Sequence, residues 1–304
     1  MKSVAVKGLD IVPPSKSSAF ACHTPPLMPQ MHMLCAVIGK RGSGKGVAVT
    51  NLLEKLQVVD RLMIVSPSIK SNKSLTDRLK RMIVEPSDLY HDVDDVGILA
   101  DIVKKIEKER DDLEEYWEKL RRYKRLMKVL DSQNPLFHLS DDDLLSAYEN
   151  GRFEPPKHKW DGRVPCIAVW FDDILGSQLM SGKGARQLAK LCMYHRHLGQ
   201  FSHIGGAVGC SMIFCAQSYK SAQGGLSKTL RNNLTLLLLF STKSSKELAE
   251  VAEEASGEVD EATFYQVYHQ AIQQPHDFLM IDLHPKPQHP SGFRRNFSEF
   301  LVPQ

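Results

Sequence analysis

The chain has 304 residues and a mass of 34.3 kDa, which is enough for one large domain or two small ones. Hydrophobic residues make up 42% and charged residues 25%, an ordinary globular composition that excludes a wholly disordered or fibrous chain. The net charge of +3 is too small to indicate a nucleic-acid-binding protein by itself. The longest strongly apolar run, 234–240, is far shorter than the about 20 residues that cross a bilayer, so we expect no membrane insertion.

Six cysteines lie at positions 22, 35, 166, 192, 210 and 215. No two of them form a Cys-x-x-Cys pair, so their spacing indicates neither a zinc ribbon nor a thioredoxin-like motif. His195, His197 and His203 lie near Cys192 without completing a zinc ligand set, and we expect them to pack or to face an anion. We therefore expect reduced thiols in an intracellular protein.

The N-terminal part of the chain predicts an arm followed by a βαβ unit. Residues 1–30 are rich in proline and serine, which favours an arm over a core element. The apolar run 33–38 then predicts a buried strand, the glycine-rich segment 39–46 a loop, and 47–56 a helix. A second buried strand is expected at 62–65, and strand, loop, helix and strand within so short a span are typical of a parallel sheet.

Charged residues dominate 96–130, where Ile106, Leu113, Leu120 and Met127 recur every seventh position. This pattern predicts one long, exposed, charged helix with a narrow apolar stripe. The helix is expected to lie along its own domain, with a coiled-coil contact to a partner as the alternative.

Residues 131–163 form a polar connection, in which Asp141, Asp142 and Asp143 are expected to begin a short helix rather than to bind a metal. Apolar runs and helical patterns alternate beyond it, which predicts an α/β fold. The strands are expected at 164–171, 210–216, 234–240 and 278–283, and the helices at 185–194, 246–255 and 261–272. The proline-containing tail, 284–304, is expected to run over the surface.

The loop after the first predicted strand fits the phosphate-binding motif Gly-x-x-x-x-Gly-Lys, where it must lie to be functional, between a buried strand and a helix. Its glycines let several backbone N–H groups point at one anion, and the start of the helix favours negative charge there. Lys45 is expected to reach the β- and γ-phosphates of ATP. The residues expected to bind the nucleotide are Gly39, Lys40, Arg41, Gly42, Ser43, Gly44, Lys45 and Gly46.

The last residue of this motif departs from its usual form. A serine or threonine hydroxyl, which binds Mg²⁺, normally follows the lysine, whereas this chain has Gly46. Ser43, Thr50 or a water molecule are the candidates to take over that ligand position, and metal affinity is expected to be weak.

Polar side chains follow two of the later strands. Asp172 and Asp173 end the strand expected at 164–171, and Gln217 follows the next strand along the chain. Carboxylates at such a strand end hold Mg²⁺ and polarise the attacking water in P-loop ATPases, so we expect Asp172 to hold the metal and Asp173 to act on the water. Gln217 has both a donor and an acceptor with which to orient that water.

Arg231, just before the strand expected at 234–240, is the candidate for an arginine finger that projects into a neighbouring subunit's site. Arg196 is the competing candidate. A surface salt bridge is the alternative role for either residue.

The ordered set of motifs resembles the genome-packaging ATPases of large double-stranded DNA viruses, in the FtsK–HerA division of P-loop ATPases. The matching pieces are the loop 39–46, the strand end 169–173, Gln217, the segment 230–233 and the tail segment 293–297. Paired aspartates suit the viral branch, although many relatives in the wider division have Glu at the position of Asp173.

The resemblance implies a RecA-like core over 31–283 with a mainly parallel sheet. It also implies a ring, expected to be hexameric, that hydrolyses ATP with Mg²⁺ and moves double-stranded DNA into a preformed capsid. A capsid component would be a partner. The protein would then act in the host-cell cytoplasm or a virus factory, or accompany the virion.

Three other functions stay open. A plasmid-transfer or chromosome pump of the same division shares the chemistry and differs in the destination of the DNA. A nucleotide kinase also uses this loop, but no arginine-rich lid follows Asp172 and Asp173 at the expected distance, and Gln217 would have no task. A non-enzymatic nucleotide-binding scaffold is suggested by Gly46, since the loss of its hydroxyl would accompany the loss of metal binding.

Overall fold

The structure is a computed structural model that describes residues 22–68, 77, 82, 84–130, 140–141, 154–220, 225–257 and 259–303. The expectations for 1–21, and for most of the connection 131–163 with its Asp142 and Asp143, fall outside these residues.

Strands and helices alternate through the chain. The strands are β1 (Leu34–Ile38), β2 (Arg61–Val65), β3 (Leu89–Tyr90), β4 (Ile167–Asp172), β5 (Ser211–Ala216), β6 (Leu236–Phe240), β7 (Phe278–Asp282), β8 (Phe293–Arg295) and β9 (Glu299–Leu301). The α-helices are α1 (Lys45–Leu56), α2 (Gly97–Leu130), α3 (Gly182–Tyr194), α4 (Lys228–Arg231), α5 (Ser245–Ala255) and α6 (Glu261–Ala271).

The nine strands in the described part of the chain join one sheet in the order β3-β2-β4-β5-β1-β6-β7-β8-β9. The first six of these are parallel neighbours, and β7, β8 and β9 continue the sheet in antiparallel pairs. The expected α/β class with a mainly parallel, helix-flanked sheet is therefore confirmed.

Both faces of the sheet are covered, which explains the continuous apolar runs. In β1, Ala36 belongs to the core cluster on one face, whereas Cys35 and Val37 belong to the cluster on the other. Phe171 and Phe214 stack across β4 and β5 with ring centroids 4.7 Å apart. The neighbouring Trp170 is fully buried in the opposite cluster.

Helix α2 was expected to be a long exposed helix with a narrow apolar stripe along its own domain, and a stripe of its first half is indeed buried. Ile106 and Leu113 are each 0% exposed, whereas Lys119 and Arg122 farther along are 62% and 65% exposed in their side chains. The apolar stripe therefore packs on its own domain in this half, while charged residues on its other faces, such as Lys104, Glu107 and Lys108, stay exposed.

A buried ion network attaches α2 to the edge of the sheet. Arg61, at the start of β2, donates two hydrogen bonds of 2.8 Å to Asp88 and one of 2.8 Å to Glu109 on α2. The hydrogen bond to Asp88 raises the pKa of the Arg61 guanidinium further. Lys105 lies 3.1 Å from Asp88, and the indole of Trp160 donates to Glu109 at 2.7 Å.

The C-terminal tail does not simply run over the surface, as the sequence led us to expect. Its segments β8 and β9 extend the sheet, and the tail also holds the arm. Lys286 Nζ donates to Thr24 Oγ1 at 2.8 Å and to the Pro25 carbonyl at 2.9 Å, while Arg294 donates to the Leu27 carbonyl. Three-residue strands are too short to give a recognisable alternation, which is why the pattern did not reveal them.

The expectation that all cysteines are reduced is wrong for one pair, because Cys22 and Cys166 form a disulfide. Their Cα atoms lie 6.2 Å apart although 144 positions separate them in the chain. The arm brings Cys22 to the start of β4, a long-range contact that local spacing does not reveal. Among the described cysteines, the other four are free and buried.

His195 has a packing role, since its ring lies between the carbonyl oxygens of Cys192 and His32, at 2.7 and 3.1 Å. In the described part of the chain, no group of His, Cys, Asp and Glu residues is arranged to hold a metal by itself. No described helix is both long and apolar enough to span a bilayer.

We expect Arg61→Leu to lower the free energy of unfolding by about 3 kcal/mol, because it leaves two buried carboxylates without their shared cation. Urea denaturation measures the change. The control is Arg122→Ala on the exposed half of α2, whose pair with Glu118 should contribute less than about 1 kcal/mol. Similar losses in the two variants would show that the Arg61 network does not anchor the helix.

Candidate functional site

The glycine loop turns tightly between β1 and α1. Gly44 has φ = 100°, in the left-handed region, and serves as the N-cap of α1. Gly39 has no room for a side chain, since a Cβ there would lie 2.6 Å from Ser43 Oγ and 2.8 Å from Phe240 Cβ. No side chain caps the start of α1, so its first N–H groups remain available to an anion.

Lys45 closes the loop with its own side chain. Its Nζ donates to the carbonyls of Gly39 at 2.7 Å and Lys40 at 3.1 Å, which holds the ammonium over the loop. A phosphate bound to the N–H groups of α1 would thus meet a positive charge that is already in position.

A cleft of about 1130 Å³ opens beside the loop and contains the expected site residues at the ends of β4 and β5. Asp172, Asp173 and Gln217 all line it together with Lys45. The reason is topological: β1, β4 and β5 are parallel neighbours, so the residues that follow them meet at one edge of the sheet.

The two aspartates differ in environment. Burial raises the pKa of the Asp172 carboxyl and the charge of Asp173 adds to this, whereas hydrogen bonds with Cys215 and Ser66 and the charge of Lys45 oppose it. Asp173 is exposed and has φ = 54°, a left-handed turn that carries the chain away from the strand. One carboxylate is therefore held beside the loop lysine, and the other is open to water.

Oxygen atoms suited to Mg²⁺ surround the loop, since this cation prefers carboxylate and hydroxyl oxygens together with phosphates. Asp172 supplies a carboxylate, and Ser43 Oγ is buried without a hydrogen-bond partner in the described residues. Thr50 is fully buried and donates to the Val47 carbonyl at 3.0 Å, a bond it would have to exchange to reach a cation. Gly46 leaves space, since a Cβ there would lie 3.9 Å from the Trp170 ring.

Neither candidate arginine lines this cleft. The side chain of Arg231 is only 7% exposed and makes hydrogen bonds of 2.7 and 3.2 Å to Glu254 and 2.6 Å to the Leu226 carbonyl. Arg196 is exposed and lines a separate cavity of about 510 Å³. In this conformation Arg231 therefore has the structural role of a salt bridge, the alternative to an arginine finger.

Sequence reasoning missed one wall of the cleft. His276, Asn296 and Phe297 line it opposite the aspartates, and His276 Nδ1 lies 3.1 Å from the Ser43 carbonyl. The tail segment 293–297 was an available signal, because it is one of the segments that carry the resemblance, but the resemblance implies no role for it.

No family model and no curated protein matches the chain. Solved structures that are similar to it are ATPases of the FtsK–HerA type, the division that the motifs resemble. EssC (ATPases 2 and 3) from Geobacillus thermodenitrificans gives a TM-score of 0.44 at 16% identity, over 83% of this chain and 38% of that one.

Two other solved structures are similar to the chain. The genome-packaging NTPase B204 from Sulfolobus turreted icosahedral virus 2, in complex with ATP-γ-S, gives 0.40 at 11% identity, over 83% of this chain and 93% of that one. The pCW3 conjugation coupling protein TcpA gives 0.42 at 12% identity, over 81% of this chain and 56% of that one. Likenesses this distant show the fold alone and do not transfer activity or partners to this chain.

We expect Arg231→Ala to lower the free energy of unfolding by about 2 kcal/mol, because the substitution removes the charge-assisted hydrogen bonds to Glu254 and leaves this carboxylate with the more distant Lys220, at 3.5 Å. Chemical denaturation of the isolated protein measures it. Arg196→Ala is the matched control at an exposed site and should change stability by less than about 0.5 kcal/mol. An unchanged stability of Arg231→Ala would contradict the structural role.

Proposed function

We propose that the chain is an ATPase that hydrolyses ATP with the help of Mg²⁺. The observation that supports this best is the convergence of Lys45, Asp172, Asp173 and Gln217 on one cleft beside a loop with free N–H groups. Phosphoryl transfer to water needs positioning and charge stabilisation above all, and these four side chains supply both.

Each residue has a separate task. Lys45 and the N–H groups of α1 bind the phosphates, and Asp172 holds the metal, directly or through water. Asp173 polarises the attacking water, and Gln217 orients it. Mg²⁺, when bound, neutralises charge on the phosphates; Ser43 and Thr50 are its candidate hydroxyl ligands.

We also propose that ATP hydrolysis drives the movement of DNA. The ordered motifs resemble the viral branch of the FtsK–HerA division, so the chain is proposed to move double-stranded DNA into a capsid as part of a homo-oligomeric, hexameric ring. A capsid component is the proposed docking partner, and the host-cell cytoplasm or a virus factory is the proposed location, with the virion as another. A cellular or plasmid DNA pump is the alternative with the same chemistry.

The proposed ring would have an arginine finger act in trans. Arg231 and Arg196 precede β6 and β5, whereas the cleft lies beyond the ends of those strands. The two ends of these strands are separated by five or six residues, with a rise of about 3.3 Å per residue. Neither arginine reaches its own cleft along this path, so either one would serve the cleft of a neighbouring copy.

We expect Lys45→Ala to abolish ATP turnover while the protein stays folded, because Lys45 supplies charge and is not part of the apolar core. Steady-state phosphate release, with and without double-stranded DNA, measures the effect. Lys55→Ala is the matched control, since Lys55 is an exposed lysine on the same helix.

The outcomes separate the open functions. Near-normal turnover in a folded Lys45→Ala protein would disprove the phosphate-loop assignment. A wild-type protein that binds ATP but does not hydrolyse it, with DNA present or absent, would favour the non-enzymatic scaffold that Gly46 suggests. Turnover that rises on addition of double-stranded DNA supports the translocase.

We expect Gly46→Ser to lower the Mg²⁺ concentration needed for half-maximal turnover, by an amount that corresponds to about 1.5 kcal/mol for one charge-assisted interaction. The space beside Trp170 admits the new Cβ. Gly46→Ala is the control, because it adds the same Cβ without a hydroxyl, and its larger gain in helix propensity does not provide a metal ligand. Equal Mg²⁺ titrations for the two variants would show that the site already has its ligand.

A further inference from the structure

The far wall of the cleft is built by the last strands of the sheet. Because β7 runs antiparallel to β6, its first residues lie at the same edge as the loop, and the turn after β8 returns there. We call residues 275–278 and 296–297 the C-terminal wall. It lies on the β6 side of β1, whereas Asp172 and Gln217 lie on the β5 side.

Polar contacts fix the shape of the C-terminal wall. Asn296 Oδ1 accepts from the Phe278 N–H at 3.1 Å, and Asn296 Nδ2 donates to Asp277 at 2.8 Å. Asp277 also accepts from Arg295 at 3.0 Å and from the Gln274 N–H at 2.8 Å. Asn296 has φ = 54°, so the turn is left-handed at this point and presents the next residue, Phe297, to the cleft.

Phe297 is the phenylalanine of this wall that remains partly exposed, whereas Phe278 is buried. Its ring packs edge to face on Phe278, with ring centroids 5.0 Å apart, and it lines the cleft. His276 connects the wall to the loop through the Ser43 carbonyl at 3.1 Å. A half-buried aromatic ring on a rigid turn is prepared to bind a flat apolar surface at little entropic cost.

The direction in which a bound nucleotide extends follows from the two sides of the cleft, with Asp172 and Gln217 on one side and the C-terminal wall on the other. If the terminal phosphate faces Asp172 and Gln217, the sugar and base must extend from the loop toward the β6 side. The C-terminal wall stands there. The side chains of Asp277 and Asn296 already bond within the wall, so a base would be contacted mainly through its face.

We propose that Phe297 is the stacking platform for the purine base of the nucleoside triphosphate, within a base subsite formed by the C-terminal wall. This inference rests on the proposed nucleotide function and adds to it the part of the ligand that the phosphate loop does not contact. Stacking on an aromatic side chain is favourable for any base and greatest for a large one.

The test compares two ligands in equilibrium binding, ATP and inorganic tripolyphosphate, which has the phosphates but no base. Phe297→Ala should weaken ATP binding by about tenfold and leave tripolyphosphate binding unchanged. Phe297→Tyr, which keeps the aromatic face, should bind ATP like the wild type. Equal weakening of both ligands, or no weakening of ATP, would overturn the base subsite.

Two further variants separate stacking from folding. Phe297→Leu keeps apolar packing against Phe278 and removes the aromatic face, so it should also lose ATP affinity while its unfolding midpoint stays near that of the wild type. Phe300→Leu is the matched control on the next strand, where the ring packs on Arg294 and His289 outside the cleft. It should bind both ligands normally, and an equal loss of ATP affinity there would overturn the assignment to Phe297.

If the proposed nucleotide function itself is wrong, the same binding measurements give a different result. A wild-type protein that binds neither ATP nor tripolyphosphate would contradict the phosphate loop itself. A wild-type protein that binds both, with no selective effect of Phe297→Ala, contradicts only the base subsite.

Discussion

The hydrogen bonds that hold β1 between β5 and β6 determine where every part of the cleft lies. The loop leaves β1 at Gly39. Because Gly39 has no side chain, the loop can pack closely against Phe240 at the end of β6. Parallel pairing on one side aligns Asp172 and Gln217 with the loop. Antiparallel pairing beyond β6 returns Phe278 to the same edge.

The electrostatics of the cleft depend on the same arrangement. Arg41 and Lys45 bring positive charge to the mouth of the loop, while Asp172 and Asp173 lie across from them. Burial works against ionisation of Asp172, and the nearby lysine offsets part of that cost. A cation bound together with phosphates would offset this cost further. The negative charge of Asp172 and Asp173 is therefore stabilised most when the cation and the phosphates are both bound.

The sequence predicted the elements whose signal is local and missed those that depend on distant contacts. Strands such as β1 and β4 are buried on both faces, so their apolar runs and the polar residues after them were recognisable. The disulfide between Cys22 and Cys166 and the three-residue strand β8 depend on chain segments that meet only in the fold. The position of Phe297 beside the loop follows from that strand, and the tail segment 293–297, although part of the resemblance, did not by itself indicate the C-terminal wall.

The ion pair between Arg231 and Glu254 constrains how the proposed ring could assemble. Arg231 is bound to Glu254 and to the Leu226 carbonyl, so a ring that used it as a finger would have to break these bonds at every interface. The contacts of the interface would have to exceed that loss before any gain in catalysis appeared. Arg196 is exposed and would need no such exchange, although its cavity also holds Lys286 and His32. In the proposed ring, use of Arg231 therefore couples assembly to a rearrangement within each subunit, whereas use of Arg196 does not.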